Sequence, residues 1–98
     1  MIIVNTTFYV DTAIEAEFLD WVKDVYLAET TLSRPSVARI LGAVEEGMSA
    51  IAIRMHAPTV DAAMAWDNGN GALLRGLLSE KYGQRVLHFT TLMENIVL

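Results

Sequence analysis

The chain holds two histidines, His56 and His88, and imidazole is the side chain best suited to move a proton near neutral pH. Tyr9 could share that work as an acid or a base. Asn5 and Thr7 offer an amide and a hydroxyl that could hold a substrate oxygen. Arg39 and Arg54 offer guanidinium forks, which grip carboxylates, sulfate or phosphate through paired hydrogen bonds. No cysteine is present, so there is neither a thiolate nucleophile nor a disulfide framework. The hydroxyls of "ETTLS" (residues 29–33) have no base beside them, which leaves a serine nucleophile unsupported. The catalytic candidates are therefore His56, His88 and Tyr9. The ligand-binding candidates are Asn5, Thr7, Tyr9, Arg39, Arg54 and His56.

A second stretch invites a chemical reading. "AWDNGNGALLRG", from Ala65 to Gly76, packs three glycines, two asparagines and an arginine into one window. A phosphate-cradling loop needs its glycines directly after a strand, at the opening of a helix. Here they fall about ten residues into a helical pattern, and their spacing matches neither the dinucleotide fingerprint nor the P-loop. The plain reading is a helix interrupted or thinned at 68–71, where replacing Gly69 and Gly71 by alanine keeps the fold and, with a helical backbone, gains about 0.4–1 kcal/mol per site. The functional alternative is a hinge or a backbone donor near a ligand.

The elements that position these groups follow from periodicity. "IIVNTTFYV" is β-branched and aromatic, and predicts a strand over 2–10. Thr12 and Glu15 stand at capping-box spacing. Ile14, Phe18, Val22 and Val25 then recur at helical intervals, giving a helix to about Glu29. "VARILGAV" and "SAIAIRM" read as two strands around "EEGM", with Gly47 in a hairpin turn. Thr59 can cap a second helix, which Asp61 favours through the macrodipole and Gly83 ends. "RVLHFTTLMENIVL" reads as a last strand. The order β-α-β-β-α-β is the ferredoxin-like pattern, an α+β layer with strand order 4-1-3-2 and two helices on one face. Residues 1–98 make one such domain.

Alternation sets the faces. Asn5, Thr7 and Tyr9 share one side of strand 1, and Arg54 and His56 one side of strand 3. The expected open face joins them to Arg39, His88 and Thr90, with Ile3, Val37, Leu41, Met48, Val86 and Leu92 among them. A half-polar, half-apolar sheet face suits burial against a second copy with polar groups lining a cavity; a wet outer face is the plain alternative. With Glu46 and Gly47 as the turn, opposed residues number to a sum of 93. Arg39 then stands against Arg54, and something negative, Glu94, an acidic residue of a partner copy or an anionic ligand, belongs between them. His56 and His88 lie two strand spacings apart, roughly 10 Å, too far for one metal to take both. No metal site and no cofactor are expected.

Composition narrows the partners. The chain is 53% hydrophobic with a net charge of −5, much apolar surface for a domain this small to hide. The acidic balance disfavours nucleic acid and anionic membranes. The N-terminus lacks the basic region of a signal peptide, and no apolar run is long enough to span a membrane. A cytoplasmic homodimer is the expectation, with a small anionic ligand as a further partner.

"MIIVNTTFYVDTAIEAEFLDWVKDVYL" and "KYGQRVLHFTTLMENI" resemble a family of small bacterial proteins of unknown function, similar to the dimeric α/β-barrel superfamily. This chain carries Tyr26, Leu27 and Ala28 where relatives tend to have His-Ile-Pro. It carries Phe89, Thr90 and Thr91 where they tend to have Phe-Arg-Thr. The resemblance implies two four-stranded sheets closing a barrel across a dimer. The superfamily includes cofactor-free monooxygenases, isomerases, ligand-sensing domains and haem-degrading enzymes. The last use an Asn, a Trp and a helical His; Asn5 and Trp66 are similar to the first two, but the second helix has no His. The expected function is binding of a small polar or anionic ligand at the dimer-facing sheet surface. The alternatives are a cofactor-independent monooxygenase- or isomerase-like enzyme, with His56, His88 or Tyr9 as acid or base, and a purely structural dimer.

Overall fold

The computed structural model describes residues 1–42 and 44–98. Strand β1 runs Ile2–Asp11, and its alternate residues Val4, Phe8 and Val10 are fully buried. A 3-10 turn, Thr12–Ile14, leads into α1, Glu15–Trp21, which a π turn, Val22–Tyr26, extends. Asp11, not the Thr12–Glu15 box, makes the cap. Its Oδ1 accepts from the Ala13 amide at 2.9 Å, and its Oδ2 accepts from Arg85 Nε at 3.1 Å. One carboxylate thus tethers the start of the helix and the approach to the last strand. The sequence expected the helix to reach Glu29; it stops at Tyr26, which buries a ring against Phe8 and Trp66.

Strand β2 is Ser33–Ile40 and β3 is Met48–Ala57. The second helical segment is α2, Val60–Trp66, a π turn, Asp67–Gly71, and α3, Ala72–Tyr82. Thr59 caps α2 by accepting from the Ala62 amide at 3.1 Å. Gly83 ends α3 with φ 55°, the left-handed region that glycine enters without a Cβ clash. Strand β4 is Val86–Glu94, so the last strand stops short of residues 95–98. The antiparallel sheet has the order β2-β3-β1-β4. The fold is α+β and ferredoxin-like, as its element order predicts.

The core lies between the sheet and the helices. Phe8, Phe18 and Tyr26 are completely buried. Phe8 packs on Phe18 at 5.3 Å between centroids and on Tyr26 at 5.8 Å, edge to face. Such pairs add about 0.5–1.5 kcal/mol each beyond their burial. Ile51, Ile53 and Met55 complete the sheet's inner side.

Two strands differ from their expected facing. On β2 the register pairs Val37 with Ile53, Ala38 with Ala52, Arg39 with Ile51 and Ile40 with Ala50. Opposed numbers sum to 90, not 93, and an odd shift turns every side chain of the strand over. The cause is the connection: β2 ends at Ile40 and β3 starts at Met48, a longer link than the two-residue turn. Ala43, inside the expected strand, lies outside the described residues. On β4, Thr90 opposes Thr6 and His88 opposes Phe8, so both look toward the helices. The Thr6 and Thr90 hydroxyls bond at 2.9 Å, giving Thr6 a partner inside the core.

Candidate functional site

The side of the sheet away from the helices is uncovered. Register arranges it in rows across the strands, in the order β2, β3, β1, β4. The first row is Ser33, His56, Ile3 and Met93. The second is Ser36, Arg54, Asn5 and Thr91. The third is Ala38, Ala52, Thr7 and Phe89. The fourth is Ile40, Ala50, Tyr9 and Leu87. The second row is polar from edge to edge, and the two beyond it are apolar but for Thr7 and the phenol of Tyr9. Ile40, Leu87 and Phe89 are 42%, 52% and 49% exposed, more open apolar surface than single scattered side chains.

Asn5, Thr7, Tyr9, Arg54 and His56 all stand on this face. The Asn5 amide donates to the Thr7 hydroxyl at 3.2 Å. Arg54 pairs with no carboxylate among the described residues. Tyr9 stands apart, in a hollow of about 260 Å³ whose other walls are Val44, Glu45, Met48 and Leu87. Its ring packs near Phe89, 6.0 Å between centroids. The His56 ring meets the Met1 thioether, Nδ1 to Sδ 2.8 Å. Six residues separate Ile3, beside His56, from Tyr9, about 20 Å along a strand. They form no acid–base pair.

Arg39 and His88 are not part of this face. Arg39 reaches over the helix side, where its Nε donates to Glu15 Oε1 at 2.9 Å. The expected opposition of Arg39 and Arg54 therefore does not occur. Glu94, which opposes Ile2 on the buried side of β1, bridges neither. The His88 ring lies 6.0 Å from Phe8. Partial burial lowers its pKa below the ordinary histidine value, and the Arg75 charge lowers it further against a smaller opposing effect of Asp67. Asn5 and Trp66 lie on opposite sides of the sheet, since Trp66 packs on Tyr26 and Tyr26 on Phe8.

Sequence reasoning missed Ser36 and Thr91. Ser36 follows Pro35, which disguised the start of β2, and a bulge separates it from Ser33. Thr91 was on the wrong side until the β4 register placed it. A second polar group, on the helix side, was also missed. Arg75 Nη1 lies 2.8 Å from Asp67 Oδ1 and its Nη2 donates to the Asp67 carbonyl at 2.9 Å, across the π turn. Beside this pair the buried Tyr26 hydroxyl is pushed up to about 12 by burial, which outweighs the Thr6 hydroxyl and the Arg75 charge. Among the described residues no three His, Asp or Glu gather as a metal would require, and no helix is long and apolar enough to cross a membrane.

These features define a class: a ferredoxin-like α+β sandwich with one sheet face uncovered and a single polar row across it. The chain belongs to the family described as a domain of unknown function, DUF4286, whose family model matches residues 1–96. No curated protein and no solved structure matches it.

Proposed function

We propose that two copies of the chain meet through the open sheet face and that the polar row holds a small anion where they join. The observation that carries this reading is Arg54. Among the described residues it is a cation without a counter-charge, flanked by the neutral groups of Ser36 and Asn5, in a protein whose net charge is −5. A guanidinium covered by a partner needs an anion, because an unpaired charge taken out of water is costly. Hydroxyls and an amide on either side supply further bonds to a carboxylate, sulfate or phosphate.

The size of the face supports the pairing. Four strands at about 4.8 Å spacing and eight residues at about 3.3 Å rise give roughly 500 Å² in projection. Side-chain relief brings that toward the ~800 Å² per partner of a standard interface. Ile96, Val97 and Leu98, exposed at 75%, 90% and 114%, extend the apolar surface beyond β4.

Sedimentation velocity at tens of micromolar tests the pairing. The expected species has twice the 10.8 kDa chain mass, and Phe89→Glu reduces it to the monomer with an unchanged circular dichroism spectrum. A wild-type protein that sediments as the monomer refutes the reading. Acetate, sulfate and phosphate at matched ionic strength test the anion. At about 100 times Kd a ligand adds about 2.7 kcal/mol of stability, which raises the melting temperature of wild type but not of Arg54→Gln. Equal shifts in both proteins remove Arg54 from the site.

A further inference from the structure

On the opposite side of the sheet, at its helical end, a cleft of about 530 Å³ opens beside the π turn. That volume is within the range of small-molecule sites. Thr31 and Leu32 form one wall, Pro58 another, and Trp66, Gly69 and Asn70 the third. None of the residues lining it is charged. The Asp67–Arg75 pair closes on itself across the turn, so those charges cancel locally.

Trp66 is the largest group in the lining. It is 4% exposed, and its indole Nε1 has no hydrogen-bond partner among the described residues. An indole N–H only donates, and buried donors are nearly always bonded. The Tyr26 ring, in edge contact with Trp66 at 5.8 Å, buries its hydroxyl beside that of Thr6 without a well-formed hydrogen bond among the described residues. An idle buried donor next to an uncharged cleft has the chemistry to take an oxygen acceptor. The backbone above them is not regular helix. Gly69 departs to φ −98° and ψ −107° inside the π turn, and no atom lies within 4 Å of where a Cβ would stand there.

We propose that this cleft binds a small uncharged molecule carrying a hydrogen-bond-accepting oxygen, with Trp66 as its wall and its donor. The lining excludes a charged ligand, since a buried ion would find no counter-charge there. Asn70 and Thr31 at the rim add an amide and a hydroxyl for a second polar contact. Nε1 is itself sealed from solvent, so the ligand reaches it only as the irregular turn at Gly69 yields. This site is independent of the sheet-face reading and lies on the other side of the molecule.

The test uses ¹⁵N-labelled protein, which gives two indole N–H signals, one for each tryptophan; Trp21→Phe assigns them. Three probes of similar size are titrated: acetophenone, with an acceptor and no charge, toluene, with neither, and benzoate, an anion. Acetophenone is expected to move the Trp66 indole signal saturably, together with the amides of Thr31, Gly69 and Asn70. Toluene, for want of the acceptor, is expected to bind about three- to tenfold more weakly, the worth of one neutral hydrogen bond, and Trp66→Phe to weaken acetophenone by the same factor. Benzoate keeps its acceptors but is expected to bind more weakly than acetophenone because its charge finds no counter-charge in the lining. An unmoved Trp66 signal, equal binding of benzoate or toluene, or undiminished binding by Trp66→Phe overturns the proposal. If Trp66→Phe does not fold, the three titrations of the native protein decide.

Discussion

Replacing Gly71 by alanine should destabilise the protein, although Gly71 is helical and an alanine is the better helix former. The backbone there has φ −59° and ψ −45°, so alanine alone should gain about 0.4–1 kcal/mol. The added Cβ, however, would lie 2.8 Å from Trp66 Cζ3, 3.1 Å from Trp66 Cε3 and 3.0 Å from Arg75 Nη1. Carbon atoms in contact normally stand about 3.5–4.0 Å apart, so the indole must retreat by roughly 0.7 Å. It has nowhere to go, because Tyr26 behind it is fully buried. Overpacking of that kind costs about 1–3 kcal/mol. The net loss is about 0.5–2 kcal/mol, or roughly 3–10 °C in melting temperature for a chain this long. Gly76→Ala is the control. It lies in α3 with no atom within 4 Å of its Cβ position, and should raise the melting temperature by roughly 2–5 °C. Both are read by circular dichroism at one protein concentration, since association makes melting concentration-dependent. A Gly71→Ala protein that melts at or above wild type would show that the indole is free to move.

Tyr26→Phe removes a buried hydroxyl that has the Thr6 hydroxyl beside it but no well-formed hydrogen bond among the described residues, so its melting temperature at pH 7 should stay level or rise. Burial pushes the tyrosine's folded pKa up to about 12, from an ordinary value of 10.0. Its contribution is therefore complete below pH 10 and lost as pH rises through 12, with about 2.7 kcal/mol as the upper figure for two pKa units. The variant should resist alkaline unfolding that wild type undergoes; matching alkaline curves, or a fall of more than about 5 °C at pH 7, contradicts this. His88 has a depressed folded pKa, so its share of stability is complete above the ordinary value of 6.5 and declines as pH falls through the folded pKa. His88→Gln should flatten the acid limb of a urea-denaturation series, and an imidazole that titrates at or above 6.5 by NMR would refute the assignment.

The elements were largely legible because their signals are local. Thr59 and Gly83 mark the ends of the second helical segment in the sequence and in the structure alike. The alternation of β1 is unambiguous because Val4, Phe8 and Val10 are apolar where Asn5 and Thr7 are not. The polar face of β3 is equally plain from Arg54 and His56. The outer strands were not legible in this way. β4 carries large apolar residues on both sides, Leu87 and Phe89 on one and Val86 and Leu92 on the other. Its facing is decided by which of them meets β1, a contact across the chain that periodicity does not record. β2 is exposed along its whole length, so no burial pattern disciplines its sequence. Arg34 has a positive φ of 50° and Pro35 removes an amide, which fits an edge strand that must not pair further.

One parity decides where the positive charge of this acidic chain is used. Had β2 and β3 paired to a sum of 93, Arg39 and Arg54 would have opposed each other and needed one anion between them. The pairing to 90 sends them to opposite sides of the sheet. Arg39 then meets Glu15 on the helix layer, an exposed pair worth about 0–1 kcal/mol, and has no further call on a ligand. Arg54 is left among a serine, an asparagine and a threonine, none of which can neutralise it. In a solvated monomer that costs nothing, because water serves the guanidinium. It becomes a constraint only when the face is covered, since the guanidinium then loses its water. If two copies cover the face as proposed, covering it and binding an anion are coupled: each Arg54 that loses water raises the affinity for the anion, and the anion favours the covered state by the same free energy. Dimer strength should accordingly depend on sulfate or phosphate in wild type, and that dependence should vanish in Arg54→Gln while surviving Arg39→Gln.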